Sequence, residues 1–222
     1  MRNISFRNIL KNQKDLALIV GNGINRFDSN DKDNSWEDLL RQLARRHLRN
    51  WNHEIVEGIS LPEFYDILEL QTDSPNPSKT IPEDFIKILK PWQPRDQHHR
   101  ISTWAKQNNS PILTTNFDQT LSDAGNCTLK RIKDFPFTDY YPWGSYYGIE
   151  HLHNPCNSFG IWHINGMIKY RRSLRLGLAH YMGSVERVRR WLHKGKEKSL
   201  FAGKDIQNWI GANTWLHVVF NN

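Results

Sequence analysis

The stretch Asp15-Leu-Ala-Leu-Ile-Val-Gly21-Asn22-Gly23 decides the fold class. An apolar run with no polar alternation suits a strand buried on both faces, as in a parallel sheet covered by helices. Two later runs end in the same manner: Pro111-Ile-Leu-Thr-Thr115 breaks into Asn116-Phe-Asp118, and Phe159-Gly-Ile-Trp-His-Ile164 stops at Asn165-Gly166. Between the first two runs the signals are helical. Ser35-Trp-Glu-Asp38 has the pattern of a capping box, and Leu39, Leu40, Leu43 and Leu48 follow at near-helical spacing. Ser60-Leu-Pro-Glu63 and Thr80-Ile-Pro-Glu83 repeat the start signal with Pro in the first turn, launching residues 64–70 and 85–89. A fourth helix is predicted over 98–107. Residues 128–158, rich in Pro, Tyr, Gly and Asn, predict irregular or short-stranded chain. A helix over 181–193 carries Val185, Val188 and Leu192 on one stripe, and an apolar run fills 215–220. Strands separated by helices predict an α/β fold: a doubly wound, Rossmann-like parallel sheet in one domain over 1–222, with an all-helical insertion at about 36–108.

The chain has 222 residues, and its 30 Lys and Arg against 23 Asp and Glu give a net charge of +7. That excess either attracts an anion, such as a nucleotide, a nucleic acid or an acidic partner, or simply keeps the chain soluble. Much of it falls late, from Lys169 to Lys198, where a solvated helix face competes with a nucleic-acid contact. Two cysteines, Cys127 and Cys156, cannot build a disulfide framework and form no Cys-x-x-Cys pair. No run approaches the roughly 18 apolar residues of a membrane helix, and the opening residues lack a secretory h-region. A reducing, cytoplasmic setting without membrane contact is the expectation.

Ligands of open α/β sheets bind beyond the carboxyl ends of the strands, where three polar motifs are expected to gather. Gly21 and Gly23, flanking Asn22 and followed by Asn25, would let backbone N–H groups approach a pyrophosphate; the alternative is a tight turn, since the third glycine of the dinucleotide fingerprint is replaced by Arg26. Thr115, Asn116 and Asp118 offer a hydroxyl, an amide and a carboxylate, suited to a ribose, a water or a carboxamide; Asn116 or Asp118 equally suits a helix cap. His163 and Asn165, two apart on a strand, share a face, and a strand-end His can act as a base or as a satisfied structural residue.

Taken in order, Gly21-Asn-Gly-Ile-Asn25, Thr114-Thr-Asn-Phe-Asp118 and His163-Ile-Asn-Gly166 resemble the motifs of the sirtuin superfamily, and most closely the sirtuin-like NAD-hydrolase domains of bacterial anti-phage defence. Ser35-Trp-Glu-Asp-Leu-Leu40 and Ser173-Leu-Arg-Leu-Gly177 with Tyr181 are similar to that branch too, so the resemblance spans about 16–192. It implies an NAD pocket built on Gly21, Asn22, Gly23, Asn25, Thr115, Asn165 and Gly166, and cleavage of the nicotinamide–ribose bond. Asn116 would orient the water, Asp118 would hold the nicotinamide or ribose end, and His163 would be the base. NAD is then the substrate and no metal takes part. Two cysteines cannot supply the four-Cys zinc module of sirtuin deacylases, which leaves the deacylase a poor second. The resemblance further implies a homo-oligomer or a sensor protein holding a toxic effector in check. The chain departs from the family at Asn165, where the family has its His, and the family domains continue beyond a segment such as 215–220 into a strand closing the adenosine side. A non-catalytic NAD or ADP-ribose-binding module is the alternative, with a nucleic-acid-binding subunit behind it.

Overall fold

A computed structural model describes residues 16–27, 34–52, 54–133, 135–192 and 213–221. Asp15, His193, Lys194, Lys196 and Lys198, used in the sequence reading, lie outside the described residues, as does the side chain of Leu192. The three apolar runs form strands β1 (Leu18–Val20), β2 (Ile112–Thr114) and β5 (Ile161–His163), which pair in parallel with Val20 opposite Thr114 and Thr114 opposite His163. The three polar motifs therefore leave the sheet side by side. Short strands β3 (Thr128–Arg131) and β4 (Ser145–Gly148) complete the sheet in the order β1-β2-β5-β4-β3.

The sheet is mixed, which corrects the expectation of a wholly parallel one: β3 pairs antiparallel with β4, and β4 antiparallel with β5. The cause lies in the Pro- and Gly-rich chain around them. Among the described residues no helix stands between β3 and β5 to carry the chain back over the sheet, and a direct return sets strands antiparallel.

Among the described residues, four α-helices stand between β1 and β2: α1 (Trp36–His47), α2 (Leu61–Gln71), α3 (Pro77–Leu89) and α4 (Asp96–Gln107). Ser35 caps α1 by accepting the Asp38 N–H at 3.0 Å, and Ser60 with Glu63 closes a reciprocal box on α2. The Thr80 start signal is misplaced. Pro77 already occupies the first turn of α3, Asn76 accepts the Thr80 N–H at 3.0 Å, and Pro82 sits buried inside the helix. Beyond β2 come α5 (Thr120–Ala124), α6 (Leu178–Leu192) and α7 (Trp215–Asn221), so the apolar run at 215–220 is a helix.

Continuous strand hydrophobicity is consumed on two faces. Ile112 and Ile161 pack with Ala105 of α4 and Leu121 of α5, while Leu113 and Trp162 pack with Val218 of α7 on the other side. A separate core joins α1, α2 and α3 through Leu40, Leu43, Leu68 and Phe85, and receives Phe117 from the chain just after β2. The helical insertion thus leans on the end of the sheet, and the gap between them is the site. No helix among the described residues is long and apolar enough to cross a membrane.

Candidate functional site

A cavity of 280 Å³ opens where β1, β2 and β5 end. Its polar floor is Asn22, Thr115, Asn116, Asp118 and Asn165; its wall is aromatic, from Trp36, Phe85, Trp92, Phe117 and Tyr181. The glycine turn, a 3-10 helix over Asn22–Arg26, separates it from a second hollow of 550 Å³ lined by Gly21, Gly23, Phe27 and Arg100. On that side β1 is the edge of the sheet among the described residues, and Ile19 is 76% exposed.

Asn116 is clamped from all three parallel strands. Its N–H donates to Thr114 Oγ1 at 3.1 Å, and that hydroxyl donates onward to the Val20 carbonyl at 3.0 Å. Its carbonyl accepts from His163 Nδ1 at 2.7 Å, and its side-chain Nδ2 donates to the Gly21 carbonyl at 3.4 Å. With both ends of the peptide held, the remaining atom, Oδ1, is buried and has no hydrogen-bond partner.

Donation to a carbonyl fixes the proton of His163 on Nδ1, so Nε2 carries a bare lone pair. Burial pushes the imidazole below its ordinary value and outweighs the opposing pull of the Asn116 carbonyl and of Asp118. The ring is 4% exposed, meets Tyr147 edge-on at 5.6 Å, and stands behind Asn116 rather than on the cavity wall. The shared face expected of His163 and Asn165 does not form because β5 ends at His163; Asn165, already in the turn, lines the cavity instead.

Asp118 borders the cavity yet is committed inward. Oδ2 accepts from Asn25 Nδ2 at 3.0 Å, while Oδ1 accepts the Thr120 N–H at 3.0 Å and the Thr120 hydroxyl. Asn25, 3% exposed, also donates to Asn22 Oδ1 at 2.9 Å and accepts from His98 Nε2 at 2.9 Å. His98 is fixed as that donor because its Nδ1 accepts the Arg95 N–H at 3.0 Å; desolvation lowers its pKa. The network ties the glycine turn, α4 and the end of β2 together, and Gln97 adds a bond to the Ile24 carbonyl at 2.9 Å. His98 had no signal in the sequence beyond opening a predicted helix, and Gln97 lay just before that helix although the structure starts it at Asp96.

Of the two glycines at the turn, Gly21 has extended backbone and Gly23 has open space where a Cβ would stand. Gly166 is the demanding one. Its φ is +99°, and a Cβ would collide with the Ser173 carbonyl, so only glycine lets the 173–176 segment return beside Asn165, whose carbonyl accepts the Arg175 N–H at 2.9 Å. The structure therefore brings Asn22, Thr115, Asn116, Asp118 and Asn165 to one cavity and Gly21 and Gly23 to the adjoining hollow, and places Asn25, His163 and Gly166 in the scaffold behind. The aromatic wall was not legible as a wall; Trp36, Phe117 and Tyr181 lay in motifs quoted for the resemblance, and Phe85 and Trp92 did not. No protein-family model, curated protein or solved structure matches the chain.

Proposed function

We propose that the chain is an NAD glycohydrolase that seats the nicotinamide end of NAD in the 280 Å³ cavity and transfers the ribose C1′ from the ring nitrogen to water. The supporting observation is the buried, partnerless Oδ1 of Asn116, held rigid where three parallel strands end. A fixed amide oxygen accepts a hydrogen bond from the attacking water and turns negative partial charge toward a developing oxocarbenium ion. In the reaction the C1′–N1 bond breaks with its electron pair passing to the ring nitrogen, which becomes neutral. The water oxygen bonds to C1′ and its proton passes to solvent, giving nicotinamide, ADP-ribose and a proton.

On this reading His163 is a positioning residue that holds the Asn116 carbonyl. The parallel β1-β2-β5 core supports a Rossmann-like mode of binding, with the rest of the dinucleotide crossing the glycine turn into the second hollow, where Arg100 supplies a cation near the phosphates. The second reading, an NAD or ADP-ribose-binding module without turnover, is favoured by one feature: among the described residues no His or Lys lines the cavity.

Nicotinamide release from NAD by the purified chain, alongside Asn116→Ala, separates them. The glycohydrolase predicts release that falls about a hundredfold or more in the variant with an unchanged melting temperature. No release, with NAD still raising the melting temperature, establishes the binding module; no release and no shift removes both.

A further inference from the structure

The fold gathers the basic run that begins at Lys169 with Arg131 of β3 around the loop before β4, and lays guanidinium groups on aromatic rings there. Arg131 covers Phe137 at 3.9 Å, Arg172 covers Tyr140 at 3.8 Å, and Arg187 of α6 covers Tyr141 at 4.4 Å. The rings adjoin one another: the centroids of Tyr140 and Tyr141 are 6.5 Å apart, and Phe137 meets Tyr170 edge-on at 5.3 Å. Buried Arg175 fixes the frame, donating to the Tyr140 carbonyl, to the Arg172 carbonyl at 3.4 Å and to Ser184 Oγ at 3.0 Å. Phe137 and Tyr140 are nonetheless 38% and 45% exposed. Beside Tyr141 a hollow of 330 Å³ opens between Gly183, Arg187 and Arg190. Among the described residues, Asp139 and Glu186 pair with Arg172 at 3.3 Å and Arg190 at 3.0 Å, and Arg131, Lys169 and Arg187 bring positive charge beyond them.

A guanidinium held over a ring by one face presents its other face and its N–H edge to a further partner, and its rotamer is already fixed. The edge suits a phosphate; the second face, like an exposed Phe or Tyr ring, suits an unstacked base. An acidic peptide brings anions but no flat π faces, and a duplex keeps its bases stacked on one another. We propose that this face binds a single-stranded nucleic acid. Bases stack at the Arg131–Phe137 and Arg172–Tyr140 pairs, and Arg187 and Arg190 take a backbone phosphate at the 330 Å³ hollow. These residues are not those that line the 280 Å³ cavity, so the inference is independent of the glycohydrolase reading.

The test titrates the full chain into a fluorescently labelled oligo(dT) of about 12 nucleotides and follows anisotropy over a range of salt, starting near 50 mM. The strand should bind more tightly than its duplex with oligo(dA), and affinity should fall steeply with salt. Arg187→Gln should lower the slope of log affinity against log salt by about 0.7, the share of one phosphate on a single strand. Arg131→Lys keeps the charge and loses the stacking plane, so it should weaken binding about fivefold or more with the slope unchanged. Phe137→Leu, which removes the ring beneath, should act in the same way. Binding of Arg131→Lys at wild-type affinity would mean that charge alone is read, and overturns the proposal. So does absence of binding near 50 mM salt, or a duplex bound as tightly as the strand. Polyglutamate that displaces the strand at equal charge concentration would identify an acidic protein as the partner and overturns it too.

Discussion

Two sets of polar side chains meet at the end of β2, and they are finished differently. From Asn22 and Asp118 in the floor back to Asn25, His98 and Thr120, one set of groups satisfies itself across elements far apart in sequence. On the cavity itself, Thr115, Asn165 and Tyr181 have side-chain polar groups with no hydrogen-bond partner among the described residues, and Asn116 keeps Oδ1 bare. A buried polar group without a partner costs about 1–3 kcal/mol, a cost that falls on Asn116 Oδ1, whereas Thr115, Asn165 and Tyr181 are half-buried and keep their polar groups open to a guest.

The largest expected effect lies in the saturated set. Asp118→Ala strips the acceptor from two N–H groups and a hydroxyl and should lower unfolding free energy by about 3–5 kcal/mol in urea titrations. A variant within about 1 kcal/mol of wild type would mean that the network does not hold the turn.

Acid should act on His98 in that set and on His163 beside it. Burial holds His98 and His163 below the ordinary histidine value of 6.5, so the unfolded chain takes up protons that the folded chain refuses. Stability is complete above 6.5 and is lost as pH falls below it, at up to about 1.4 kcal/mol per pH unit for each histidine. His180 and His217, also lowered by desolvation, add to the slope. Melting curves between about pH 7.5 and 5 check this, and a flat profile would place the imidazoles in contact with solvent.

The smallest effect on stability belongs to the open set. Thr115→Val and Asn165→Ala should each melt within about 0.5 kcal/mol of wild type while weakening NAD about three- to tenfold by calorimetry. A stability loss above about 2 kcal/mol in either would show that the open set is structural after all and would erase the contrast.

The strand ends were legible because a buried parallel strand has a sequence of its own: apolar without alternation, then abruptly polar. That pattern located β1, β2 and β5 and hence Asn22, Thr115, Asn116, Asp118 and Asn165 at one edge. It could not show β3 and β4, whose short antiparallel pairing depends on return geometry rather than on hydrophobic period. Nor could it say which polar residue faces the cavity. Where β5 stops decides whether His163 and Asn165 share a face or Asn165 alone reaches the cavity, and helix-like spacing made Phe85 indistinguishable from any other core position. Asp118 shows the limit most plainly, since a carboxylate after a strand looks the same from the sequence whether it faces a substrate or Asn25.

The floor and the wall of the cavity belong to different cores. Asn116 is pinned to the sheet at Thr114, His163 and Gly21, whereas Trp36 and Phe85 are seated in the packing of α1, α2 and α3. In terms of cooperative unfolding units, the insertion can loosen without releasing Asn116, and amide exchange in α1 and α3 should be faster than at the Asn116 N–H, which opens only with the sheet. The residence time of a guest is then governed by how often the helical unit breathes, independently of the rate at which the pinned amide does its chemistry.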